Sequence, residues 1–563
     1  MLLHFWHVWA SVLFLASTNA HQIPLEAVFD KPSPGLHSES LDQFVHNVMQ
    51  EWGVQGLSVA VVSKDTTGAW KREYKGWGAS DRHGSPVTPQ TLFNIASNTK
   101  VFTALAIGLL VENGTFTDGW NTRILDLLPE WPPQDQYLKL HAKLVDILSH
   151  RTGLPRHDMS YHPQENIRDV VSSVESLRPS AEFREALQYN NIMYVTAAYI
   201  VEVASGLPFP EFVVKHILQP LGMDSSTFDP SLALGTGKLA EGFLPYQLNV
   251  TGGDGWQRNK YRPVPYWSDA LTERSNAGAG GLISTAEDMA TWVHTLLLNG
   301  ENPGTNESVI PKAAIDHVTS GHMIYSRRSP WPETGPQLYG HGQIMSHYQG
   351  HQLIEHGGST PGFKSQVTRF PDDNLGIVLL SNGDTASVPN EIIKFRIAEE
   401  YLGLKEVDWN TRYQELVSAK LQGTASSLIP PSPSAPSPSL PLSKLAGKFS
   451  HPAYGTAELC VLPPNHTDSS LIHAGHTDSE ACRSVLENFL PYYDESKPLP
   501  RLVTYLPRLW GTHFVFTHYS HNTFNITFFG LIDPSKNVSL PTQERTQNAN
   551  EGEPFVVPRE MDP

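Results

Sequence analysis

The sequence has few cysteines and few positive charges for its length. Its 563 residues include only two cysteines, and 40 Lys and Arg residues against 57 Asp and Glu residues give a formal net charge of −17. Because no block of Lys and Arg is dense enough to neutralise several phosphates at once, the sequence argues against nucleic-acid binding. With 39% hydrophobic and 10% aromatic residues, the chain instead has the composition of a globular protein.

The N-terminus lacks a hydrophobic run long enough to cross a membrane. The apolar part of MLLHFWHVWASVLFLA is shorter than the roughly 20 residues of a transmembrane helix, and small residues follow at Thr18 and Ala20. This pattern predicts a signal peptide over residues 1–20, cleaved after Ala20, and therefore a secreted protein without stable membrane insertion. A signal anchor stays open because the first residues include His4 and His7 but no Lys or Arg.

The cysteines and the glycosylation sequons agree with a secreted, oxidised protein. Cys460 and Cys482 lie close together in the C-terminal part, which favours one disulfide, and the alternative is two buried free thiols. The large N-terminal part has no cysteine and must be held together by packing. Six Asn-x-Ser/Thr sequons are predicted glycosylation sites: Asn113, Asn249, Asn306, Asn465, Asn525 and Asn537.

A Pro/Ser-rich stretch with almost no charge, residues 424–443, is the clearest domain boundary. Residues 21–423 predict a mixed α/β body, and residues 444–540 predict a small all-β domain. Residues 541–563 are polar and unpatterned, which predicts a mobile tail. The period-two segments that indicate the β domain are Ala457–Leu462, Leu502–Leu506 and His513–His518.

Hydrophobic periodicity in the body predicts strands near both of its ends and helices between them. The strands could share one sheet, and a hairpin turn is predicted near Gln349-Gly350. The predicted strands are Leu57–Val62, Trp70–Gly76, Gln352–His356, Ser365–Phe370 and Gly376–Ser381. The predicted helices are Leu41–Trp52, Val101–Glu112, Thr285–Leu298 with Ser284 or Thr285 as N-cap, and Asn390–Leu402.

A serine and a lysine at the start of a buried helix are the first candidates for chemistry. Ser97 and Lys100 stand three residues apart, so one helical turn places the amine beside the hydroxyl. Burial and the helix N-terminus both disfavour the charged lysine, which makes a neutral amine base accessible. We interpret Ser97 as a nucleophile activated by Lys100. The alternative is that Ser97 only caps the helix while Lys100 reaches solvent.

Two further motifs add polar groups that suit the same chemistry. Tyr189 and Asn191 form a Tyr-x-Asn, in which the phenol can shuttle protons and the amide can hold a substrate carbonyl. His356-Gly357-Gly358-Ser359 ends a predicted strand, and its glycines let a ligand approach the backbone closely. The main-chain N–H groups of Ser359 and Ser97 would then form an oxyanion hole.

The order and spacing of the three motifs resemble the serine β-lactamase and penicillin-binding-protein superfamily, most of all its class C-like, DD-peptidase and esterase branch. The resemblance extends from about Leu41 to Leu402. Other segments that agree with this resemblance are Gly56–Val62, Leu148–Pro155, Ala279–Asp288 and Leu379–Gly383.

The resemblance implies an α/β (α+β) fold with a central antiparallel sheet of five strands flanked by helices. It also implies that Ser97 attacks a small-molecule or peptide ester or amide, with Lys100 and Tyr189 sharing the proton transfers, and that no cofactor or metal takes part. Asn191 would orient the substrate. Because His356 stands where most β-lactamases of the family carry lysine, efficient β-lactamase activity is not expected. The part after the linker resembles the lipocalin-like β-barrel of some relatives.

Other interpretations of the residues remain in view. A metal site is disfavoured because the spacing of His341, His347, His351 and His356 matches no zinc motif. An α/β-hydrolase elbow is disfavoured because Pro361 stands where G-x-S-x-G needs its last glycine. A transacylase that uses the same acyl-enzyme, and a non-catalytic secreted binding protein on the same fold, both stay open.

Overall fold

The structure is a computed structural model that describes residues 35–162, 165–247, 260–266, 270–427, 436–461, 479–489, 502–508, 511–532 and 555–559. The predicted signal peptide, the sequons at Asn249, Asn465 and Asn537, and residues 428–435 of the predicted linker lie outside the described residues. Within the described ranges no single helix is long and apolar enough to span a membrane. One bent pair, Asn191–Ser205 with Phe209–Leu221, meets the length and composition test together.

Strands from the two ends of the body pair in one antiparallel sheet, as the sequence predicts. Leu57 in the first strand is the partner of Ser381 in the last strand of the body. The strands of the body are β1 (Gly56–Lys64), β2 (Trp70–Gly78), β3 (Phe93–Asn94), β4 (Gly242–Gln247), β5 (Lys260–Val264), β6 (Ile283–Ser284), β7 (Met323–Ser326), β8 (Gln337–Tyr339), β9 (Ile344–Tyr348), β10 (His351–Thr360), β11 (Phe363–Phe370) and β12 (Leu375–Ser381).

The main sheet has eight strands, whereas the resemblance implies five. Its order is β2-β1-β12-β11-β10-β9-β8-β7, and the pairs β3-β6 and β4-β5 stand apart. The extra strands join at the predicted hairpin turn, where Gln349 and Gly350 have φ values of 47° and 94°. This turn folds β9 back onto β10, so that Tyr348 pairs with His351. The sheet therefore continues past β10 toward β7.

Helices cover both faces of the sheet. The helices of the body are α1 (Glu39–Trp52), α2 (Thr99–Glu112), α3 (Ile124–Leu127), α4 (Gln136–His141), α5 (Leu144–Leu148), α6 (Ile167–Ser173), α7 (Asn191–Ser205), α8 (Phe209–Val213), α9 (Gln219–Leu221), α10 (Pro230–Gly235), α11 (Ala270–Gly280), α12 (Ala286–Leu297), α13 (Lys312–Val318), α14 (Ser387–Leu402) and α15 (Trp409–Ser427). The Thr285 side chain caps α12 by accepting a hydrogen bond from the Asp288 N–H at 3.1 Å.

The sheet separates two hydrophobic cores, and alternate residues of β12 enter each of them. Ile377 and Leu379 pack in the core that contains residues of α1 and α14. Val378 and Leu380 pack in the core that contains residues of α2, α7 and α12. Because successive side chains of a strand point to opposite faces, a strand buried on both faces is apolar throughout. This explains why the sequence Gly-Ile-Val-Leu-Leu shows no alternation.

The C-terminal part forms a separate six-stranded antiparallel sheet whose strands pair in chain order. The predicted disulfide is confirmed, because Cys460 and Cys482 are bonded with a Cα–Cα distance of 5.6 Å. The elements of this part are α16 (Leu442–Leu445), β13 (Gly447–His451), β14 (Gly455–Val461), α17 (Glu480–Ser484), β15 (Leu502–Arg508), β16 (Gly511–Ser520), β17 (Thr523–Ile532) and β18 (Phe555–Arg559).

The predicted C-terminal β domain is confirmed, and α17 and the turn Val485–Phe489 add Val485 and Phe489 to its small core. Two details along the chain differ from the prediction. The tail predicted to be mobile includes β18, whose apolar Phe-Val-Val run pairs with β17. Helix α15 continues to Ser427, so the first four residues of the predicted linker, Thr424–Ser427, are helical.

Candidate active site

A strained turn precedes the buried helix α2 and presents Ser97. Residues Ala96–Asn98 form a single 3₁₀ turn, and Ala96 has a φ of 49°, which a non-glycine residue adopts at an energetic cost. The Asn94 side chain stabilises the turn, because its Oδ1 atom accepts a hydrogen bond from the Ala96 N–H at 2.9 Å. Backbone strain of this kind is typical of functional sites.

Strands β10 and β11 lie directly against this turn. The Ser365 hydroxyl donates to the Ile95 carbonyl oxygen at 2.7 Å and accepts from the Asn98 amide at 2.8 Å. A Cβ atom on Gly358 would lie 2.4 Å from the Ile95 oxygen, so only glycine permits the contact. Ser359 follows on the same strand and is exposed. The structure thus brings the predicted His-x-Gly segment beside Ser97.

Lys100 is buried and contacts Ser97. Its Nζ atom lies 3.1 Å from the Ser97 Oγ atom and donates to the Ala279 carbonyl oxygen at 2.6 Å. Burial, and after it the positive charge of Arg156, lowers the pKa of Lys100 well below its usual range, while Asp158 acts in the opposite direction. A neutral amine beside the hydroxyl is therefore favoured.

Tyr189 lies close to both Ser97 and Lys100. Its ring centre lies 5.0 Å from the Lys100 Nζ atom, and its hydroxyl shares a hydrogen bond with Ser97. Burial raises the pKa of Tyr189 far above its usual value, and the hydrogen bond to Ser97 lowers it only in part. The two pKa shifts therefore favour a protonated phenol next to an uncharged amine.

His356 faces Tyr189 and is neutral. The two ring centres lie 6.3 Å apart, and burial, followed by repulsion from the charged form of Lys100, lowers the pKa of His356 to about 4. The His356 Nδ1 atom lies 2.6 Å from the Gly357 oxygen, which can only accept, so Nδ1 carries the proton. The Nε2 atom is then the acceptor, and the Tyr339 hydroxyl donates to it at 3.3 Å.

The donor side of the Asn191 amide is engaged by Asp158. The Asn191 Nδ2 atom lies 3.1 Å from each oxygen of that carboxylate. Asp158 also forms a salt bridge of 2.6 Å with Arg156, whose guanidinium lies 5.3 Å from the ring centre of Tyr189. A role for Asn191 in orienting the substrate stays a prediction. Because Asp158 occupies the Nδ2 atom, the substrate would have to bind to the amide oxygen of Asn191.

Sequence reasoning missed four residues of this region: His150, Arg156, Asp158 and Tyr339. The His150 ring lies 4.2 Å from Tyr189, and its Nδ1 atom accepts from the Asn190 N–H at 3.1 Å. His150 belongs to the segment Leu148–Pro155, and Arg156 and Asp158 come directly after that segment. The segment Leu148–Pro155, which resembles the family, could therefore have indicated His150, Arg156 and Asp158. No sequence pattern indicated Tyr339.

The four histidines of the disfavoured metal site do not meet. His356 lines the candidate active site, His351 pairs with Asp373 at 2.9 Å, and His347 is exposed. His341 lies instead with two histidines from earlier in the chain.

Three predicted glycosylation sites fall within the described ranges, and all three are exposed. They are Asn113 at the end of α2, Asn306, and Asn525 on β17. Glycosylation at these positions stays a prediction.

Comparison with known proteins identifies the family. A family model described as Beta-lactamase matches residues 41–401. The chain belongs to the beta-lactamase family. This confirms the resemblance inferred from the motifs, and the beta-lactamase family is one of serine hydrolases that form an acyl-enzyme.

Relatives in the beta-lactamase family include two fungal hydrolases. Unguisins hydrolase ungD' of Aspergillus campestris (strain IBT 28561) is 30% identical over 462 residues, 78% of this chain and 79% of that protein. Unguisins hydrolase ungD of Aspergillus violaceofuscus (strain CBS 115571) is 28% identical over 483 residues, 79% and 80%. An Escherichia coli O157:H7 protein, provisionally named a D-alanyl-D-alanine carboxypeptidase, is 25% identical over 413 residues, 65% and 87%.

A solved structure shares the fold of this beta-lactamase family member. The octameric penicillin-binding protein homologue from Pyrococcus abyssi superposes with a TM-score of 0.56 and 20% identity. The match covers 88% of this chain and 96% of that chain. The likeness is one of fold.

Proposed function

We propose that the protein is a secreted serine hydrolase that cleaves an ester or amide through an acyl-enzyme on Ser97. The observation that carries the proposal is the 3.1 Å separation between the Ser97 Oγ atom and the buried Lys100 Nζ atom. A serine hydroxyl needs an adjacent base to become nucleophilic, and a lysine with a lowered pKa supplies one.

In the first step the neutral Lys100 amine accepts the hydroxyl proton while the Ser97 oxygen bonds to the substrate carbonyl carbon. The carbonyl π electrons move to its oxygen, and the main-chain N–H groups of Ser97 and Ser359 stabilise the resulting negative charge. Single donors of this kind contribute about 2.7 to 4 kcal/mol to catalysis in other serine enzymes. The close contact of Gly358 on β10 with the Ile95 oxygen, directly before the Ala96–Asn98 turn, supports this assignment.

In the second step the bond between the carbonyl carbon and the leaving group breaks. The proton on Lys100 passes through the Tyr189 hydroxyl to the leaving oxygen or nitrogen, and the phenol regains its own proton in the exchange. Water then attacks the carbonyl carbon of the acyl-enzyme and gives a proton to Lys100 and Tyr189. The bond between this carbon and the Ser97 oxygen breaks, the acid leaves, and the same residues return the proton to Ser97. The hydrogen bond of Tyr189 to Ser97 supports this relay.

Hydrolysis is favoured over acyl transfer and over simple binding. The two Aspergillus relatives are named as hydrolases of unguisins, and the Escherichia coli relative is provisionally named a carboxypeptidase. Transfer would need the same acyl-enzyme with a different acceptor, while a binding protein would not need the buried lysine. A neutral His356 also disfavours substrates whose recognition depends on a carboxylate.

The experiment is a screen of short esters, D-amino-acid amides and β-lactams with the purified protein. We expect turnover of at least one ester or amide, and a loss of several decades in Ser97→Ala, as when a nucleophile is removed elsewhere. The matched control is Ser40→Ala, because Ser40 is exposed on α1. Product formed only in the presence of an added alcohol or amine would favour the transacylase. No turnover and no labelling by a fluorophosphonate would favour the binding protein.

Secretion is part of the proposal and has its own test. The leader at residues 1–20, the sequons and the disulfide support it. Expression of the whole chain in eukaryotic cells should place it in the medium, with His21 as the first residue and a mass that falls after N-glycosidase treatment. Retention in membranes with an intact leader would show a signal anchor instead.

A further inference from the structure

Three histidines from separate elements converge beside the candidate active site without belonging to it. His317 lies in the last turn of α13, His322 precedes β7, and His341 lies between β8 and β9. One ring nitrogen from each lies within 4.8 Å of those of the other two. We call these three residues the histidine cluster.

The backbone of the histidine cluster is anchored by hydrogen bonds. The main-chain N–H of His322 donates to the Tyr339 carbonyl oxygen at 2.9 Å, and the main-chain N–H of His341 donates to the Val318 carbonyl oxygen at 2.9 Å. These bonds tie the loop before β7 to β8 and tie the end of α13 to the loop before β9. The fold therefore holds the three Cα positions close together.

Ring nitrogens of the histidine cluster lack hydrogen-bond partners. His341 is completely buried, and neither of its ring nitrogens has a partner among the described residues. The Nε2 atoms of His317 and His322 are also buried without a partner in the described part of the chain. Buried polar atoms are almost always paired, so four such atoms in one place indicate a ligand.

We infer that the histidine cluster binds one divalent d-block cation of the Zn²⁺ class. Imidazole nitrogens are typical ligands for such cations, and three of them leave one position for water. His317 and His322 are half-buried, which gives an ion access from the surface.

Binding requires a small rearrangement of the rings. At Zn–N distances of about 2.0–2.1 Å, tetrahedral ligand nitrogens lie about 3.4 Å apart. The His322 and His341 rings are stacked, with centres 4.4 Å apart and planes 5° apart, so both planes cannot contain the same ion. The half-buried His322 has to rotate out of the stack.

Charged groups of α5 and of the segment that follows it act on the histidine cluster. The Arg151 guanidinium acts on both His322 and His341. It is paired with Asp146 at 2.6 Å, and the same carboxylate acts on His322 with the opposite sign. The Asp146 carboxylate also pairs with Arg184 at 2.8 Å, so two guanidiniums share it, and the histidine ligands have to offset the remaining positive charge when a dication binds.

The inferred ion would act on the structure around α2. Gly342 follows His341 with a φ of 70°, and a Cβ atom there would lie 2.8 Å from the Lys100 carbonyl carbon. An ion at the histidine cluster would thus fix a loop that packs on the backbone of α2. We expect it to raise stability without taking part in the reaction.

The test uses the whole chain without an affinity tag, stripped with a chelator and titrated with Zn²⁺ by calorimetry. We expect one equivalent to bind, and His322→Ala and His317→Ala each to weaken binding at least tenfold. The matched control is His347→Ala, which removes an exposed histidine and should leave binding unchanged. Substitution with Co²⁺ should give the visible absorption bands of a tetrahedral site, and these bands should be lost in His322→Ala.

Two results would overturn the inference. One is wild-type protein that binds no Zn²⁺ or gives no tetrahedral Co²⁺ spectrum. The other is binding that is equal in wild type, His317→Ala and His322→Ala, or that falls in His347→Ala, because surface histidines would then be the ligands. The two half-buried positions are chosen because removal of the fully buried His341 could prevent folding. Thermal unfolding with and without Zn²⁺ gives a second readout, with a higher Tm expected only where the ion binds.

Discussion

The His157 Nδ1 atom in the body lies 2.7 Å from the Tyr454 hydroxyl in the C-terminal part. This hydrogen bond joins the turn between β13 and β14 to the segment that carries Asp158. Asp158 accepts a hydrogen bond from the Asn191 amide. The C-terminal part therefore reaches the candidate active site through His157, the residue that precedes Asp158. A contact of this kind can influence how the wall of the site is positioned.

We therefore expect Tyr454→Phe to loosen the segment around His157. Loss of a hydrogen bond to a partly buried group costs about 1 to 3 kcal/mol when the partner is left unsatisfied. Hydrogen exchange at residues 156–162 should become faster, and KM should rise more than kcat changes. Tyr137→Phe is the control, because Tyr137 is 61% exposed. Unchanged exchange and kinetics would show that the contact has no effect on the site.

The pH dependence of acylation should follow Lys100. The lysine acts as a base only when neutral, so the rate should rise with pH through a pKa below the usual value for lysine. Tyr189 has a raised pKa and stays protonated, so the rate should not fall again at moderately alkaline pH. Stopped-flow measurement with an activated ester checks this profile. A rise centred at the ordinary lysine pKa would contradict the proposed base.

His356→Lys should shift substrate preference toward carboxylates. His356 has its pKa lowered to about 4 and is neutral at physiological pH, whereas lysine would add a positive charge near Ser97. We expect kcat/KM for carboxylate-bearing substrates to rise at least several-fold relative to a neutral ester. His347→Lys adds the same charge at an exposed position and serves as the control. An equal ratio in both variants would remove His356 from substrate recognition.

Gly358→Ala should disturb the Ala96–Asn98 turn that carries Ser97. The added Cβ atom would lie 2.4 Å from the Ile95 oxygen, so either β10 or the turn has to move. Overpacking of this kind costs about 1 to 3 kcal/mol, and activity should fall more than the Tm suggests. Gly235→Ala has open space around it and should behave like wild type in both assays. Full activity in Gly358→Ala would mean that the contact does not position Ser97.

The elements that could be predicted from the sequence are those whose signal is local. The alternation and the apolar runs placed β1, β2, β10, β11 and β12 to within a few residues, and one-turn spacing placed Lys100 beside Ser97. Strands β7 and β8 are short and partly exposed, so they carry no periodic signal. Strand β18 was missed because a polar stretch surrounds its three apolar residues.

Contacts between distant segments were beyond the reach of local patterns. The engagement of Asn191 by Asp158 joins residues 33 positions apart, and the hydrogen bond from Tyr339 to His356 depends on the pairing of three strands. The histidine cluster could not be predicted for the same reason, because sequence spacing groups His341 with His347, His351 and His356 rather than with His317 and His322. The motifs therefore indicated the reacting groups, while the groups that position them required the fold.

The central claim is that Ser97 becomes acylated with Lys100 as the base, and rapid-quench mass spectrometry of the acyl-enzyme tests it most directly. With a slowly deacylating ester, we predict an adduct on the peptide that contains Ser97, none in Ser97→Ala, and formation slowed roughly 10²- to 10⁴-fold in Lys100→Arg. Lys312→Arg, at a 60% exposed lysine, should acylate at the wild-type rate. An adduct on another residue, or turnover that persists in Ser97→Ala, would contradict the account.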